Sequence, residues 1–429
     1  MKILPQKTPS ASILLVVMIF TLCFAAWLAS HLIMVSDEHL LVGRSQNWND
    51  SLALAESGIE EGMQELNSGF TPVANGWTPT LITNVDGDLL GASFVCATRI
   101  LNGGSYSVRI TTNSVANPPY KATIVSVGTT VAPVTGQTIN RKVEVSATTV
   151  PRFPVALGAT GNINMNGNTI AASSWDSTDP SESTNGLFNG YTGTNGSIAS
   201  VGGIVNIGND TIDGNLYLGP NATYSGSGTV TGTTYNDYNV QYPPITLPTT
   251  QSDGTPITWS SVDPTKNGGT NWITTSGYYV INNSNPIYVA PGVTATFDVK
   301  ESIFNPASVT IGGGTTDPGT IIMYQESGSM TLGGNSTGGA IGARPVNFQY
   351  YGMSGVTSIT LAGTSTFVGT VYAPSATLTL NGGGNSNDFE GAAIVQSAVI
   401  DGHYRFHYDK SLIDSSAIAG YTAYSWQEL

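Results

Sequence analysis

Residues 13–35 read ILLVVMIFTLCFAAWLASHLIMV, an almost unbroken apolar run whose only strongly polar member is His31 near its end. As a helix rising about 1.5 Å per residue, the run spans roughly 34 Å, which is enough to cross a hydrocarbon core of ~30 Å. The chain continues as DEHLLVGRSQNWNDSLALAESGIEEGMQELN, followed by the stop signal Ser68-Gly69. Residues 1–67 are therefore predicted to be one N-terminal membrane-spanning and amphipathic helix.

Apolar residues recur at spacings of three, four or seven along the part of this helix that lies beyond the apolar run. They are Leu41, Trp48, Leu52, Ala55, Ile59, Met63 and Leu66. Such a stripe is typical of a helix that packs one side against a partner. We expect it to lie on one face of a β-sheet that follows in the chain.

The charges on either side of the run predict its orientation. Lys2 and Lys7 precede it, whereas Asp37 and Glu38 follow it. The positive-inside rule then places the N-terminus in the cytoplasm, with the bulk of the chain periplasmic or exposed at the cell surface. The predicted location is the bacterial inner membrane, crossed once. The alternative is a cleaved secretory signal, although the run is long for one and residues 27–30 lack a small-x-small cleavage site.

The composition is typical of an extracellular, turn-rich β protein. Charged residues make up 10% of the chain and Gly accounts for 51 of 429 residues, whereas soluble domains average about 25% charged residues. The formal net charge of −14 argues against a nucleic-acid partner, since a polyanion requires a basic face. The two cysteines, Cys23 and Cys96, lie in separate apolar segments, so no disulfide is predicted.

Changes in the sequence pattern divide the chain after the helix. Residues 70–150 alternate apolar and polar positions in short runs, which predicts an antiparallel sheet and, with the helix, an α+β head. Residues 151–412 form a Gly/Asn-rich module, interrupted by a Pro-rich excursion at 237–257. Residues 413–429 are predicted to be a C-terminal cap or tail. Its Trp426 is expected to dock on the last layer of strands of that module.

Short apolar triplets between Asn-Gly and Gly-rich turns characterise residues 151–412. Near the C-terminus they fall about 17 to 20 residues apart, as from Ile359 to Leu378 and then Ile394. This spacing favours the rungs of a parallel β-helix. The alternative is a β-sandwich of hairpins, because Asn-Gly also favours type I′ turns. The predicted fold class is mainly β with one long N-terminal helix.

One cluster of side chains could bind a metal. His403, His407 and Asp409 fall on the same face of a strand, and imidazole and carboxylate are common metal ligands. The structural alternative is a hydrogen-bonded terminal rung, and we expect that reading to hold. The pair Asp210 and Asp213 at a turn is a weaker candidate for calcium.

The sequence contains no recognisable catalytic motif. The carboxylates of residues 151–412 are scattered, and six basic residues are dispersed after position 150, at Arg152, Lys266, Lys300, Arg344, Arg405 and Lys410. No GxSxG elbow, phosphate-binding loop or Cys-rich metal motif occurs. No enzymatic activity and no cofactor are predicted. The paired tyrosines Tyr278-Tyr279 and Tyr350-Tyr351 could stack on a surface polysaccharide or face the core.

Two parts of the chain resemble a known family. The apolar helix followed by Ala53-Leu-Ala-Glu-Ser-Gly-Ile-Glu-Glu61 resembles the PilX-like N-terminal domain of type IV pilus assembly proteins, which are minor-pilin or pseudopilin-like subunits. Prepilins usually carry a Gly before the run and a Glu at the fifth mature position, and this chain has neither. The C-terminal part is similar to a β-rich module often found with that domain. The motif residues that carry both resemblances are Glu56, Gly58, Glu60, Gly369, Tyr372, Ala373, Pro374, Gly391, His407, Tyr408 and Asp409.

The resemblance implies a membrane-anchored, outward-facing structural or adhesive subunit of a type IV pilus or pseudopilus-like system. Its expected partners are the membrane and other pilin-like subunits. Two alternatives come from other classes of protein. One is a carbohydrate-active β-helix enzyme tethered to the envelope, and the other is a self-associating scaffold of the bactofilin kind.

Overall fold

The computed structural model describes residues 10–67, 73, 75–83, 89–101, 103–112, 121–132, 136–166, 171–251, 255–300, 305–334, 336–415 and 418–429. The chain divides into two compact units. Unit 1 comprises Met1–Thr149 together with Gly420–Leu429, and unit 2 comprises Val150–Ala419. Unit 2 is thus inserted between two segments of unit 1. The predicted fold class, mainly β with one long N-terminal helix, is confirmed.

Unit 1 combines the long helix with an antiparallel sheet. The elements are α1 (Ser10–Asn67), β1 (Thr78–Thr83), β2 (Leu89–Val95), β3 (Arg99–Leu101), β4 (Gly104–Thr112), β5 (Lys121–Val131) and β6 (Thr138–Pro151), with a strand from the end of the chain, Ile418–Glu428. The first six strands pair as antiparallel neighbours, and β5 and β6 have the longest register, from Lys121–Thr148 to Val131–Thr138. Alternating burial along β5 shows that one face of the sheet is covered, as a half-solvated antiparallel sheet requires.

The helix reaches the sheet through small residues. Ser51 and Ala55 are fully buried, and a Cβ atom added at Gly58 would overlap the Ser126 hydroxyl and lie 2.8 Å from Val108 Cγ2. Gly62, one turn further on, is equally close, because a Cβ atom there would lie 2.6 Å from Ile124 Cγ2. The lack of side chains at these glycines lets the helix backbone approach the sheet, and larger residues beside them fill the remaining contact.

The observed packing face differs in part from the predicted stripe. Ala55, Ile59 and Leu66 are buried, and Leu52 and Met63 are partly buried. Leu41, however, is 67% exposed, so its assignment to the packing face is wrong. Trp48 is 48% exposed, and the Arg141 guanidinium of the sheet lies 4.3 Å from the centroid of its ring. The buried part of the helix starts near Ser51, about three turns later than the stripe indicated.

Unit 2 consists of short strands with three 3₁₀ turns (Pro264–Asn267, Pro306–Ser308 and Pro345–Asn347) and the short helix α2 (Leu412–Ser415). Its first strands are β7 (Leu157–Ala159), β8 (Ile163–Met165), β9 (Ala171–Trp175), β10 (Ser183–Thr184), β11 (Leu187–Phe188), β12 (Ile198–Ser200), β13 (Ile204–Asn206), β14 (Thr211–Ile212), β15 (Leu216–Leu218), β16 (Thr223–Ser225), β17 (Thr229–Val230) and β18 (Thr234–Tyr235). The later strands are β19 (Ser260–Ser261), β20 (Asn271–Ile273), β21 (Gly277–Ile281), β22 (Ile287–Val289), β23 (Thr294–Val299), β24 (Val309–Ile311), β25 (Thr320–Leu332), β26 (Thr337–Gly339), β27 (Phe348–Ala362) and β28 (Thr366–Asp409). The strand Ile418–Glu428 is β29 and belongs to the sheet of unit 1.

Most strands of unit 2 stack in parallel, rung upon rung, whereas β10 and β11 form a separate antiparallel pair. Leu157 pairs with Ile198, which pairs with Leu216, and Ile359 pairs with Leu378. A β-sandwich of hairpins would need antiparallel ladders instead, so the parallel pairing excludes that alternative for these strands. Aliphatic and aromatic side chains from successive rungs fill the interior and form one continuous core. The arrangement is that of a β-solenoid.

The order of the rungs is not the order of the chain. Strand β7 pairs on one side with β12 and on the other with Ala393–Val395 of β28, so the first and the last rungs lie side by side in the middle of the stack. One face of the stack runs in the order β18, β15, β12, β7, β28, β27, β25, β23, β21 and β19. The two free ends of the solenoid are therefore the rungs of β18 and β19, which are joined in the chain by residues 236–259.

Residues 236–251 and 255–259, which include the described part of the Pro-rich excursion, run between the two ends and form a strap. The strap must cover about ten strand-to-strand steps of ~4.8 Å, roughly 48 Å, and an extended chain of this length reaches up to roughly 80 Å. It is fastened to the side of the stack by tyrosines. The Tyr372 hydroxyl donates to the Pro243 carbonyl of the strap at 2.9 Å, and the ring of Tyr238 in the strap packs against that of Tyr217 in β15, with centroids 5.6 Å apart.

The C-terminal segment does not cap the solenoid. Residues 418–428 instead form β29, the strand next to β6 in the sheet of unit 1. Glu428 forms an ion pair with Arg141, and the Leu429 amide donates to the Lys142 carbonyl at 2.9 Å. Trp426, which was expected on the last rung, is 53% exposed on this strand. The prediction failed because the last rung is already covered by the first rung and needs no terminal cap.

Candidate functional site

Two features of the structure could carry function: the apolar half of α1, and the seam where the first and last rungs of unit 2 meet. In α1, the large apolar side chains from Ile13 to Val35 have exposed fractions between 39% and 72%. This helix is long and apolar enough to cross a membrane, and none of that segment is buried in the described residues. Exposure of so many consecutive apolar side chains to water would be strongly unfavourable, because each exposed Leu, Ile or Phe forgoes about 1.5–3 kcal/mol.

The seam is held together by residues that lie far apart in the sequence. The end of β28 pairs with β9 in parallel register, with Phe406 opposite Ala172, His407 opposite Ser173 and Asp409 opposite Trp175. Residues 398–400 of the same strand pair with β8. Phe406 continues the aromatic stack of the core, with its ring centroid 4.8 Å from that of Phe389. The seam is therefore a continuation of the solenoid by non-consecutive rungs.

His407 bridges two polar partners across this seam. Its Nδ1 lies 2.9 Å from the Ser173 hydroxyl oxygen, and its Nε2 lies 3.2 Å from Asp388 Oδ1. In the neutral imidazole, Nε2–H donates to the carboxylate and Nδ1 accepts from the hydroxyl. Burial raises the pKa of Asp388, but hydrogen bonds from His407 and Arg405 and the positive charge of Arg405 together hold it below its usual value. Arg405 contacts both oxygens of Asp388, at 2.8 and 3.1 Å.

A hydroxyl, an imidazole and a carboxylate in hydrogen-bonded sequence are also the groups of a nucleophilic triad. Catalysis would require a substrate to reach the hydroxyl. Ser173 and His407 are only 1% and 3% exposed, and the Phe188 ring stacks on the imidazole with centroids 4.0 Å apart. The arrangement as described binds two rungs together and leaves no room for a substrate at Ser173.

The other residues of this motif also bind across the seam. The Tyr408 hydroxyl donates to the Phe153 carbonyl at 2.7 Å. Asp409 accepts from the amides of Ser177 and Ser411 at 3.0 and 3.1 Å. Burial nevertheless keeps the pKa of Asp409 raised, because it outweighs those hydrogen bonds. Trp175 closes the contact by donating its indole N–H to the His407 carbonyl at 3.2 Å.

The metal-site hypothesis meets a geometric obstacle. His403 and His407 are four residues apart on an extended strand, about 13 Å, whereas two ligands of one metal lie within about 2 Å of the ion. His407 and Asp409 are engaged by the partners described above. Across the described ranges, no group of three or more His, Cys, Asp or Glu side chains is arranged to hold a metal ion. Asp210 and Asp213, the calcium candidates, are buried and partly buried.

The glycines of the C-terminal motifs permit close stacking. A Cβ atom at Gly391 would overlap the Gly369 carbonyl oxygen of the neighbouring rung, and both residues have positive φ, 135° and 154°. Tyr372 holds the strap, and Ala373 is buried in the core. Pro374, by contrast, is partly exposed. In unit 1, Gly58 is a packing residue, while Glu56 and Glu60 are exposed.

Four seam residues could not be recognised from the sequence: Ser173, Trp175, Phe188 and Asp388. None of them belongs to a motif named in the sequence analysis. Each contacts His407 only because the fold brings the last rung beside the first. The tyrosine pairs also differ from a sugar-binding surface. Tyr350 and Tyr351 are buried, and Tyr279 donates to the Thr275 carbonyl at 2.6 Å.

Comparison with known proteins gave two findings. A family model described as "Domain of unknown function (DUF7305)" matches residues 292–415, from the rung of β23 to just past the seam. The crystal structure of the competence-associated pilin ComZ from Thermus thermophilus is similar over 89% of this chain and 98% of that chain, with 11% identity and a TM-score of 0.23. A TM-score this low does not establish a common fold. A search of curated proteins gave no match.

Proposed function

We propose that this protein is a single-pass, membrane-anchored structural subunit of a type IV pilus or pseudopilus-like system, with unit 2 facing outward and without enzymatic activity. The observation that carries the proposal is the division of α1. Its second half is seated on the sheet of unit 1 through Gly58 and Gly62, while the apolar side chains of Ile13–Val35 are exposed. One rigid rod thereby connects a folded head to an apolar environment.

The charge distribution supports an inner-membrane location with the N-terminus in the cytoplasm. Lys2 and Lys7 precede the apolar run, and Asp37 and Glu38 follow it. The exposed apolar side chains would contact lipid before assembly and the helices of other pilin-like subunits after it. The acidic net charge of −14 disfavours nucleic acid as a partner.

An adhesive role would use the outer surface of unit 2. Trp272 is 47% exposed and its ring centroid is 4.2 Å from that of Tyr288 on the next rung. Trp272, with the partly buried Tyr288 ring tilted by 37° beside it, offers an apolar surface on which a sugar ring of a polysaccharide can stack. The enzyme alternative is disfavoured because the one triad-like arrangement in the described chain is closed by Phe188.

Membrane fractionation tests the anchor. Replacing Leu22→Arg places a charge near the centre of the apolar run and should cost roughly 3 kcal/mol of insertion free energy. We expect the variant to leave the membrane fraction, whereas the control Leu22→Ile should remain there. If a chain lacking residues 1–35 still sediments with membranes, the anchor assignment is wrong.

Site-specific photocrosslinking tests the partner. A photoreactive amino acid at Phe20, which is 72% exposed, should capture other pilin-like subunits in cells that assemble the system. The same amino acid at Leu54, which is 9% exposed against the sheet, should give only intramolecular products. Crosslinks from Phe20 to lipid alone would contradict assembly through this helix. In that case only the role of the helix as a membrane anchor would be supported.

A further inference from the structure

The rung formed by β16, β17 and β18 is an uncovered end of the solenoid. In the part of the chain that the structure describes, each strand pairs on one side only, with β13, β14 and β15 respectively. Residues 223–235 read TYSGSGTVTGTTY, and all are exposed except Gly228 and Val230, which are partly buried. The next rung, formed by β13, β14 and β15, alternates largely between buried and partly exposed positions. Exposure of the side chains therefore rises sharply from that rung to the end rung.

The outer edge of this rung presents backbone hydrogen-bonding groups. The amides of Thr223, Thr229 and Thr231 donate inward, to the carbonyls of Gly203, Asp210 and Ile212 at 3.1, 2.8 and 3.0 Å. Because the direction of N–H and C=O groups alternates along a strand, those of Tyr224 and Val230 point away from the stack. Unpaired edges of this kind are templates for pairing with another chain.

The rung lacks the features that normally protect an edge. Natural edges are blunted by charged side chains, proline or a covering element. Residues 223–235 contain no charged residue and no proline. The opposite end of the solenoid is different, because Asp263 caps a 3₁₀ turn that starts at Pro264, directly after the edge strand β19. Only one of the two described ends is therefore open to pairing.

We propose that residues 223–235 pair with the same rung of a second copy of this chain, forming a two-fold dimer of solenoids joined end to end. A single extended peptide could cover only one of the three edge strands. The same rung in a second copy presents three edges in the same arrangement. Two chains that each carry a net charge of −14 repel one another. The uncharged end rung is a surface where that repulsion is least.

A two-fold axis perpendicular to the solenoid makes the paired strands antiparallel and closes the assembly at two copies, as isologous interfaces do. The exposed rings of Tyr224 and Tyr235, at 46% and 41%, would be covered in the dimer. This inference does not depend on the pilus assignment, because the solenoid ends belong to unit 2 alone.

The test is the mass of the full-length chain in detergent micelles, measured by sedimentation over a hundredfold range of concentration. We expect a monomer–dimer equilibrium that Thr234→Lys weakens at least tenfold, because it places an ammonium group from each copy in an interface that is otherwise uncharged. The matched control Thr310→Lys, another exposed strand threonine, should leave the equilibrium unchanged. Circular dichroism and thermal unfolding of both variants establish that they fold.

Two results would overturn the proposal. One is a chain that remains monomeric at every concentration. The other is a dimer that Thr234→Lys does not weaken although the variant folds, since association would then occur through another surface such as α1. Crosslinking of Thr234→Cys in a Cys23→Ser background by a short bis-maleimide provides independent support, because only an end-to-end dimer brings the two thiols together.

Discussion

Replacing His407→Ala should open the seam of unit 2. The change removes the contacts of the imidazole with Ser173, at 2.9 Å, and Asp388, at 3.2 Å, together with the stacking on Phe188. Two hydrogen bonds contribute about 1 kcal/mol each, and the aromatic contact adds about 0.5–1.5 kcal/mol. The Ser173 hydroxyl would remain buried without its partner, which costs a further ~1 kcal/mol or more. The total is about 3.5–4.5 kcal/mol of unfolding free energy.

For a unit of this size, such a loss corresponds to a fall of about 10 °C in the Tm of unit 2. Hydrogen exchange should accelerate first in β9 and in residues 398–409, because the parallel ladder between them connects the two halves of the solenoid. The control Thr310→Ala changes an exposed strand residue away from the seam and should shift Tm by less than 2 °C.

Metal analysis belongs to the same experiment. We expect EDTA to leave Tm unchanged, because His407 acts through hydrogen bonds and packing. If the amides of β9 in His407→Ala remain as protected from hydrogen exchange as in the unmodified protein, His407 does not hold the seam together. Stoichiometric metal in the purified protein, lost in His407→Ala together with a fall in Tm after chelation, would refute the structural role of this histidine.

Two further predictions concern packing and pH. Gly58→Val should lower the unfolding free energy of unit 1 by about 2–3 kcal/mol, because the valine side chain would overlap Ser126, and hydrogen exchange in β5 should rise. The control Glu60→Val, at an exposed position of the same helix, should have little effect on either quantity. An equal loss of stability in both variants would contradict the close approach of the helix backbone to the sheet at Gly58. Burial and the Asp388 carboxylate raise the pKa of Glu390 to about 7. The folded protein therefore favours the protonated carboxyl more than the unfolded chain does. The stability that this preference contributes is fully present below about pH 4.5 and is lost as the pH rises through 7. Glu390→Gln should therefore raise Tm at pH 8 more than at pH 5, and an equal shift at both pH values would contradict this assignment.

The local pattern of the chain predicted its elements better than their partners. The apolar run predicted α1 as a helix, and the spacing from Ile359 to Leu378 identified two residues that pair directly. Ile394, placed by the same spacing, instead pairs with Gly158 of the first rung. Periodicity indicates which residues are apolar at regular intervals. It does not indicate which rung, distant in the sequence, pairs with the last rung.

The errors at Leu41 and at residues 413–429 have the same origin. A stripe of apolar residues indicates a covered face, yet near a membrane the cover can be lipid, so Leu41 satisfies the pattern while remaining exposed in the fold. The terminal strand shows the converse. Its pairing with β6 depends on the insertion of the whole of unit 2 between them, which no local signal in IAGYTAYSWQE reveals. Gly58 was informative as a motif position, but its packing role, like that of Gly62, required the sheet.

The central claim is that α1 anchors this chain in the inner membrane with its folded part outside the cytoplasm. Labelling of single cysteines by a membrane-impermeant maleimide in intact spheroplasts tests it most directly, in a Cys23→Ser background where Cys96 remains buried. The account predicts that Ser425→Cys, on exposed β29, is labelled at once, whereas Lys2→Cys is labelled only after the membrane is permeabilised. Protection of Ser425→Cys with labelling of Lys2→Cys, or labelling of both in a chain released from the membrane, would contradict it.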